Sequence, residues 1–388
     1  MFEVYSVNVT KQEILAWCEE HAGEQLALLR TLAAIPAPSH SEHKRVEFIR
    51  EWLAREGAQN VRVDEALNVV VPLACEGRRD IRVYMAHTDV VFPDLEPLPV
   101  REEAGRLYAP GAGDDTANVA ALMLCVKFFL SRKLVPREPL LIVFNSCEEG
   151  LGNLKGVRQI MQEYAGRVRE VVSFDGQSSS IVSRAVGSER WNVCATTCGG
   201  HSFGAFGKPN AIHHMARLIG RLYQQPLPQR HESKTTYNVG TIQGGTSVNT
   251  IAQQVEMTYE YRSDNRDCLQ QMRKQFLDMV DEANGSEVSV QTTLLGERPC
   301  GGTVEESAQR QLLERCTRAI ADVTGQLPAY RSGSTDANIP LSLGIPAATF
   351  GLYRGGGAHT RQEYVEIDSL GAGLQIALRL LTASCLET

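Results

Sequence analysis

Several features are missing from this 388-residue sequence, and each absence excludes a class of protein. The longest apolar runs are short strand-like stretches such as residues 140–144, far from the roughly 20 residues that cross a bilayer. The N-terminus lacks a basic region followed by an apolar core, so we expect no secretory signal. No basic cluster is present and the net charge is −7, so neither nucleic acid nor a membrane is an expected partner. With 43% hydrophobic and 22% charged residues, the composition is that of a soluble globular protein.

The ten cysteines do not form a recognisable framework. Cys194 and Cys198 are four residues apart, which is not the C-x-x-C spacing of a zinc ribbon, and no second pair follows. A long chain without a secretory signal needs no disulfides. We therefore expect reduced thiols and a cytoplasmic protein.

Strand-like and helix-like segments alternate in the first half of the chain. The patterns predict helices at residues 11–34, 41–56, 116–130 and 154–163, and strands at residues 61–63, 69–73, 81–86, 140–145 and 170–174. Such alternation is typical of α/β units around a mostly parallel sheet. In these sheets functional residues collect beyond the carboxyl ends of the strands.

The pattern changes near Gly187. The next 110 or so residues read strand, helix, strand, strand, helix, strand, which is the order of a ferredoxin-like α+β domain. Helical periodicity returns after Gly301. We predict an α/β domain in two segments, residues 1–187 and 301–388, with a small α+β domain inserted at residues 188–300.

Residues that could carry chemistry fall at predicted strand ends and helix starts. In an extended segment over residues 85–89, residues two apart share a side, so Asp89 can reach His87. A histidine that binds a metal usually gives its other N–H to a carboxylate. A solvated loop histidine is the structural alternative.

Three further acidic segments and a late histidine have the same placement. Asp114 opens a helix, Glu148 and Glu149 follow an apolar strand, and Asp175 ends another strand. Taken singly, Asp114 would fit a helix cap, the pair Glu148 and Glu149 would fit an acidic turn, and Asp175 would fit a turn-forming residue. His359 follows three glycines in an open loop. Two histidines and three carboxylates (His87, Asp114, Glu149, Asp175 and His359) form a mixed N/O ligand set suited to a divalent cation such as Zn²⁺.

The order and spacing of these motifs resemble the M20 family of metallopeptidases, and the peptidase T branch in particular. The resemblance covers nearly the whole chain, and it depends on six motifs: His87-Thr88-Asp89, Gly113-Asp114-Asp115, Cys147-Glu148-Glu149-Gly150, Phe174-Asp175-Gly176, Gly199-Gly200-His201-Ser202 and Ala358-His359-Thr360. It implies a zinc-peptidase-like catalytic domain with two zinc ions per subunit, which Co²⁺ or Mn²⁺ could replace. It also implies that the inserted domain is a dimerisation or lid domain, and hence a homodimer.

The resemblance assigns a role to each ligand. Asp114 would bridge the two ions, His87 and Asp175 would complete one site, and Glu149 and His359 would complete the other. The aspartate at position 175 is usual in aminopeptidases of the peptidase T kind. The sequence departs from the family pattern at two positions: Thr116 stands where lysine is common, and Ala252 stands where proline is frequent. These differences bear on the substrate assignment more than on the metal assignment.

The remaining roles concern the reaction. Glu148 would be the general base of a hydrolysis that uses a metal-bridging hydroxide, and Asp89 would support His87. His201, from the partner subunit, would stabilise the oxyanion, while Asn249 and Arg262 are candidates for holding a substrate carboxylate. The expected substrates are di- or tripeptides cleaved from the N-terminus. N-acyl amino acids or C-terminal cleavage are the alternative.

Two other functions fit part of the sequence. Gly200 to Gly204 match the G-x-S-x-G pattern of serine hydrolases, with Ser202 as nucleophile and Asp336 and His359 in the required order. That pattern needs a helix directly after the serine, and none is predicted before residue 210. A metal-free binding protein would be expected to have lost a ligand or the base, and all of them are present.

Overall fold

The computed structural model describes residues 9–383 of the chain. Its α-helices are α1 (Lys11–Glu20), α2 (Ala22–Ala34), α3 (His43–Arg55), α4 (Asn118–Ser131), α5 (Lys155–Glu163), α6 (Ala211–Gln224), α7 (Arg266–Ala283), α8 (Glu306–Thr324), α9 (Asn338–Ser342) and α10 (Leu370–Leu381). Its strands are β1 (Arg62–Val63), β2 (Val69–Leu73), β3 (Ile81–His87), β4 (Arg101–Glu103), β5 (Arg106–Tyr108), β6 (Leu140–Asn145), β7 (Val168–Phe174), β8 (Ser180–Ala185), β9 (Gly187–Thr196), β10 (Gly200–His201), β11 (Thr235–Gly244), β12 (Thr250–Ile251), β13 (Gln254–Ser263), β14 (Ser289–Arg298), β15 (Ala329–Gly333), β16 (Ala347–Phe350), β17 (Gly355–Gly356) and β18 (Tyr364–Glu366).

The chain divides into two compact units. The first contains the residues up to Arg184 and those from Thr303 onward, and the second is Ala185–Gly302. The bounds predicted from the sequence for the inserted domain are residues 188–300.

An eight-stranded sheet organises the first unit, in the order β1-β2-β6-β3-β7-β16-β8-β15. Its middle strands β6, β3, β7 and β16 run parallel to one another. Every residue of β3, β6 and β16 is buried, as expected for continuous apolar runs in a sheet covered on both faces. The four parallel strands therefore present their carboxyl ends at one edge.

The second unit is a four-stranded antiparallel sheet with two helices. The chain order is β9, α6, β11, β13, α7, β14, and the sheet order is β11-β13-β9-β14. Buried residues alternate with more exposed ones along β13, and α6 and α7 pack on this strand and on β9. The predicted fold class, a mostly parallel α/β domain with a ferredoxin-like α+β domain inserted, is confirmed.

Two details differ from the predicted segments. The helical pattern of residues 11–34 forms two helices, because His21 leaves helical geometry and stacks its ring on Trp17 at 4.0 Å. A small sheet of β17, β18, β5 and β4 was not predicted, since strands of two or three residues leave no periodic signal. Among the helices of residues 9–383, none is both long and apolar enough to cross a membrane.

Candidate metal centre

The predicted ligands gather at the carboxyl edge of the parallel strands. His87 is the last residue of β3, and Asp175 follows the end of β7 directly. Glu149 lies four residues beyond the end of β6. Asp114 precedes α4, and His359 lies in the loop between β17 and β18. This edge is where parallel α/β sheets place their functional groups.

Asp114 lies between the two histidines. One carboxylate oxygen, Oδ1, is 3.0 Å from His87 Nε2, and the other, Oδ2, is 3.0 Å from His359 Nε2. His359 Nε2 is also 3.2 Å from Glu149 Oε1. All five predicted ligands thus fall into two sets that share Asp114. These sets are His87, Asp114 and Asp175, and Asp114, Glu149 and His359, and in each the possible ligand atoms lie within 4.8 Å of one another.

A third set of possible ligand atoms joins His87 to Glu148 and Glu149, also within 4.8 Å. Both glutamates are buried in the turn that follows β6. The predicted general base, Glu148, therefore lies at the same centre as the predicted ligands.

The ring of His87 is held in one orientation. Its Nδ1 is 3.0 Å from the main-chain oxygen of Asp89 and 3.5 Å from the carboxylate Oδ1 of the same residue. Since Nδ1 faces a carbonyl acceptor, Nδ1 carries a proton and donates to it, and Nε2 is left to face the Asp114 carboxylate. The sequence predicted the Asp89 carboxylate as the partner of His87, but the nearer partner is the carbonyl.

The Asp89 carboxylate mainly supports the acidic turn. It is 0% exposed and accepts the main-chain N–H groups of Glu148 and Glu149, each at 2.9 Å. The Ser39 hydroxyl donates to it at 2.6 Å. One buried carboxylate therefore holds the main chain of both glutamates.

A buried arginine lies beneath this turn. Arg45 is 0% exposed and donates to the carbonyl oxygens of Thr88 at 2.9 Å and Ile35 at 2.6 Å. Burial lowers the pKa of Arg45 to about 10, while the charges of Asp89 and Glu42 oppose that change. Arg45 is thus a buried cation that binds main-chain oxygens, while the charges of two buried carboxylates favour its protonated form.

Two more acids organise the segment that carries Asp114. Asp115 accepts the main-chain N–H of His87 at 2.9 Å and a hydrogen bond from Asn118. Glu363 accepts the main-chain N–H groups of Gly111, Gly113 and Asp114. The sequence analysis missed Glu363, because its main-chain partners lie about 250 positions earlier and no local pattern marks such a contact.

The ionisation of the centre reflects crowded carboxylates. Burial alone would lower the pKa of His87, but adjacent carboxylates, Asp115 foremost, raise it well above its ordinary value. Hydrogen bonding to Asp114 and a second carboxylate raises the pKa of His359 to about 11. Burial, reinforced by the charge of Asp114, raises the pKa of Asp175 to about 7. The centre thus attracts positive charge, in the form of protons or cations.

The donor set fits two divalent cations. Each of the two sets combines one imidazole nitrogen with two carboxylates, and such mixed N/O sets bind Zn²⁺, Co²⁺ or Mn²⁺. The shared Asp114 offers one oxygen to each set. Two dications would also offset the charge of the clustered carboxylates.

The other predicted residues belong to the second unit. His201 is exposed on β10, where its Nδ1 accepts the N–H groups of Phe203 and Gly204 at 3.3 Å, which leaves the proton on Nε2. The side-chain oxygen of Asn249 accepts a hydrogen bond from Ser247 at 2.8 Å. Arg262 already forms a bidentate salt bridge with Glu260, in which Nε and Nη2 donate to the two carboxylate oxygens at 3.1 and 3.0 Å. Their roles in catalysis and binding stay predictions.

Comparison with known proteins gives the family. The model of "Peptidase family M20/M25/M40" matches residues 83–383, a segment that includes both predicted ligand sets. The chain belongs to this family. The predicted resemblance is therefore confirmed, and the chain is a hydrolase of a metallopeptidase family.

Individual relatives differ in the reaction named for them. A Mycobacterium tuberculosis protein named "Putative succinyl-diaminopimelate desuccinylase DapE" is 25% identical over 369 residues, covering 92% of this chain and 98% of the relative. A tripeptidase structure from Staphylococcus aureus has a TM-score of 0.73 at 19% identity, covering 94% of this chain and 98% of that one. A Bacillus subtilis structure described as a dinuclear metal-binding M20 peptidase has a TM-score of 0.66 at 15% identity, with coverage of 94% and 98%. The family is thus shared across peptidases and deacylases.

The serine-hydrolase alternative lacks its structural context. Ser202 follows the two-residue strand β10 in a turn, and the next helix, α6, begins only at Ala211. A nucleophile elbow requires the serine at a strand-to-helix turn.

Proposed function

We propose that this protein is a two-metal aminopeptidase that hydrolyses di- or tripeptides. The observation that carries the proposal is the arrangement of two ligand sets around one shared carboxylate, Asp114, with Glu148 at the same centre. Zn²⁺ is the proposed metal because imidazole and carboxylate ligands suit it. Asp175, where the peptidase T branch also has aspartate, favours an aminopeptidase.

The chain's own residues handle the proton and the geometry. Bound divalent ions would polarise the scissile carbonyl and acidify water, which is the chemistry that this donor set invites. Glu148 takes a proton from the attacking water and delivers it to the leaving amine. The bonds from the Glu148 and Glu149 main chain to Asp89 hold the base in place while the proton moves. His201 of the partner subunit is the proposed donor to the oxyanion, through the proton on Nε2.

An N-acyl amino acid deacylase is the second candidate. The Mycobacterium tuberculosis relative supports it, because its assigned reaction removes a succinyl group from an amino acid. Both reactions cleave an amide bond and need the same centre, so they differ only in what the enzyme recognises beside that bond.

The metal chemistry is tested with purified protein as isolated and after chelation. We expect about two transition-metal ions per chain, loss of hydrolysis with a chelator, recovery with Zn²⁺, Co²⁺ or Mn²⁺, and no inhibition by a serine-directed phosphonate. Glu148→Gln should keep both ions and lose several orders of magnitude in kcat, whereas the exposed control Glu102→Gln should keep both activity and metal. Near-normal turnover by Glu148→Gln would remove this residue from the mechanism.

The substrate class is tested with a panel of free, N-acylated and C-amidated di- and tripeptides. An aminopeptidase should require a free amino group and tolerate amidation at the C-terminus. Preference for N-acyl amino acids would favour the deacylase instead.

We also propose a cytoplasmic homodimer that forms through the second unit. The supporting feature is β11, a ten-residue strand at the edge of its sheet with largely exposed side chains. Such an edge can pair with another strand. Light scattering should give twice the mass of the chain, and a monomer at working concentration would contradict the proposal.

A further inference from the structure

We infer that Glu363 is a positioning residue that sets His359 and Asp114 at the separation needed for one of the two metal ions. The inference rests on the proposed two-metal function and adds a residue to it. Glu363 lies outside both ligand sets, and its side chain binds the main chain next to a ligand.

Both oxygens of the Glu363 carboxylate bind one segment of main chain. Its Oε1 accepts the N–H of Gly113 at 2.9 Å and the N–H of Asp114 at 2.7 Å, and its Oε2 accepts the N–H of Gly111 at 2.9 Å. The residue is 1% exposed, so water cannot easily replace these bonds. Hydrogen bonds from N–H groups to a carboxylate are among the stronger ones in proteins.

The Asp114 segment needs such an acceptor. Gly111 precedes the short helical segment Ala112–Ala117, and Gly113 and Asp114 lie in its first turn, where no earlier helical turn supplies carbonyl partners to their N–H groups. Gly111 has a φ of +73°, and a Cβ on Gly113 would lie 2.3 Å from the hydroxyl oxygen of Tyr353. The glycines thus allow the main chain to approach closely, and the carboxylate satisfies the N–H groups that this approach buries.

Glu363 is also tied closely to His359. The main-chain N–H of Thr360 donates to Gly357 at 3.0 Å, and that of Glu363 donates to Thr360 at 3.2 Å. The Thr360 hydroxyl adds a bond to the Gly357 carbonyl at 2.7 Å. Two consecutive turns therefore join the ligand His359 to the anchor Glu363.

These contacts link two loops that are far apart in sequence. The Glu363 carboxylate binds the Asp114 main chain, and the two turns connect Glu363 to His359. The set of Asp114, Glu149 and His359 depends on this link, because His359 is on a loop. The set of His87, Asp114 and Asp175 takes two ligands directly from the ends of β3 and β7. Loss of the anchor should therefore affect one ion more than the other.

The experiment is a titration of zinc in competition with a chromophoric chelator, applied to wild-type protein, Glu363→Gln, Glu363→Ala and a control. Glutamine keeps the shape of the side chain but turns an N–H₂ group toward at least one main-chain N–H. We expect Glu363→Gln to weaken one of the two ions by about 10- to 100-fold, the range typical for residues that support metal ligands. Glu363→Ala should weaken it further, and the second ion should change much less.

The matched control is Glu366→Gln, three residues along the same segment. Glu366 pairs with Arg354 at 3.0 Å, and both side chains are partly exposed. We expect its two zinc affinities to equal those of the wild type. The thermal midpoint of each metal-free variant reports separately on stability.

The outcomes separate the inference from the proposed function. If wild-type protein binds no stoichiometric metal, the proposed function fails. If wild-type protein binds two ions and folded Glu363→Gln binds both equally well, only the role of Glu363 is refuted. If Glu363→Gln does not fold, Thr360→Val is the test. It removes the hydrogen bond from the Thr360 hydroxyl to Gly357 but keeps the Glu363 carboxylate. It should lower the affinity for the same zinc ion by a smaller factor. Unchanged binding by that variant would overturn the inference.

Discussion

Replacing Asp89 by asparagine tests how the acidic turn is held. The Asp89 carboxylate faces three close donors, which are the N–H groups of Glu148 and Glu149 and the hydroxyl of Ser39. Asparagine offers one oxygen and one N–H₂ group. The Ser39 hydroxyl can reverse and accept, but a main-chain N–H cannot, so at least one buried N–H loses its acceptor whichever way the amide turns.

The expected cost follows from that unpaired group. A buried donor without a partner costs about 1–3 kcal/mol. Since each 1.4 kcal/mol is about a factor of ten, the amide protons of residues 148 and 149 should exchange with solvent roughly 5- to 150-fold faster. Displacement of the turn should also weaken zinc binding by about 10- to 100-fold, because Glu149 is a proposed ligand.

Hydrogen exchange followed by mass spectrometry measures the first effect on metal-free protein, and chelator competition measures the second. Asp322→Asn is the control, because Asp322 pairs with Lys11 at the surface and its loss should cost less than about 1 kcal/mol. If Asp89→Asn matches this control in both measurements, the assignment of Asp89 as the support of the acidic turn is wrong.

Two further substitutions probe the surroundings of the centre. Arg45→Met removes a buried guanidinium that donates to the carbonyl oxygens of Thr88 and Ile35, and the loss of these donors should destabilise the first unit by about 1–3 kcal/mol in thermal or denaturant unfolding. Arg50→Met, at an exposed pair, should cost less than about 1 kcal/mol, and equal effects would refute the role of the buried guanidinium. Gly113→Ala should lower zinc affinity, because the new Cβ would lie 2.3 Å from the Tyr353 hydroxyl oxygen. Its control is Gly23→Ala, where no atom lies within 4 Å of the new Cβ. This control should leave zinc affinity unchanged and stabilise helix α2 by up to about 1 kcal/mol. Wild-type zinc binding by Gly113→Ala would contradict the close packing described for that segment.

The parts of the fold that could be predicted are those with a strong local pattern. Strands β3, β6 and β7 each contain a short run of mostly apolar residues, so the histidine and acids at their carboxyl ends could be placed at one edge of the sheet. His359 has no such pattern: the glycines before it indicated only an open loop, and the resemblance to a family assigned it to one of the two metal sites. The alternation of side chains along a strand predicted that Asp89 can reach His87, and the Asp89 carboxylate does lie 3.5 Å from His87 Nδ1. It did not predict the closer contact of Nδ1 with the Asp89 carbonyl oxygen, because β3 ends at His87.

The supporting residues could not be predicted because their contacts are distant in sequence. Glu363 binds main-chain groups about 250 positions earlier, and Ser39 reaches across 50 positions. No periodicity records such pairs. The contact between Arg262 and Glu260 is different: residues two apart on a strand share a face, so this pair was predictable from spacing. Any substrate carboxylate proposed for Arg262 must compete with that glutamate.

The order of the central sheet also bears on how the protein is made. Strand β16, residues 347–350, lies between β7 and β8, which end by residue 185. A ribosome must therefore add more than 160 residues before the gap in the sheet can be filled, which takes roughly 10–30 s at about 5–20 residues per second. The inserted unit is continuous in sequence and can finish folding during that interval. Until β16 is made, the edges of β7 and β8 that it will pair with stay unpaired. Nascent chains stalled before residue 347 should consequently be the form that most needs a chaperone.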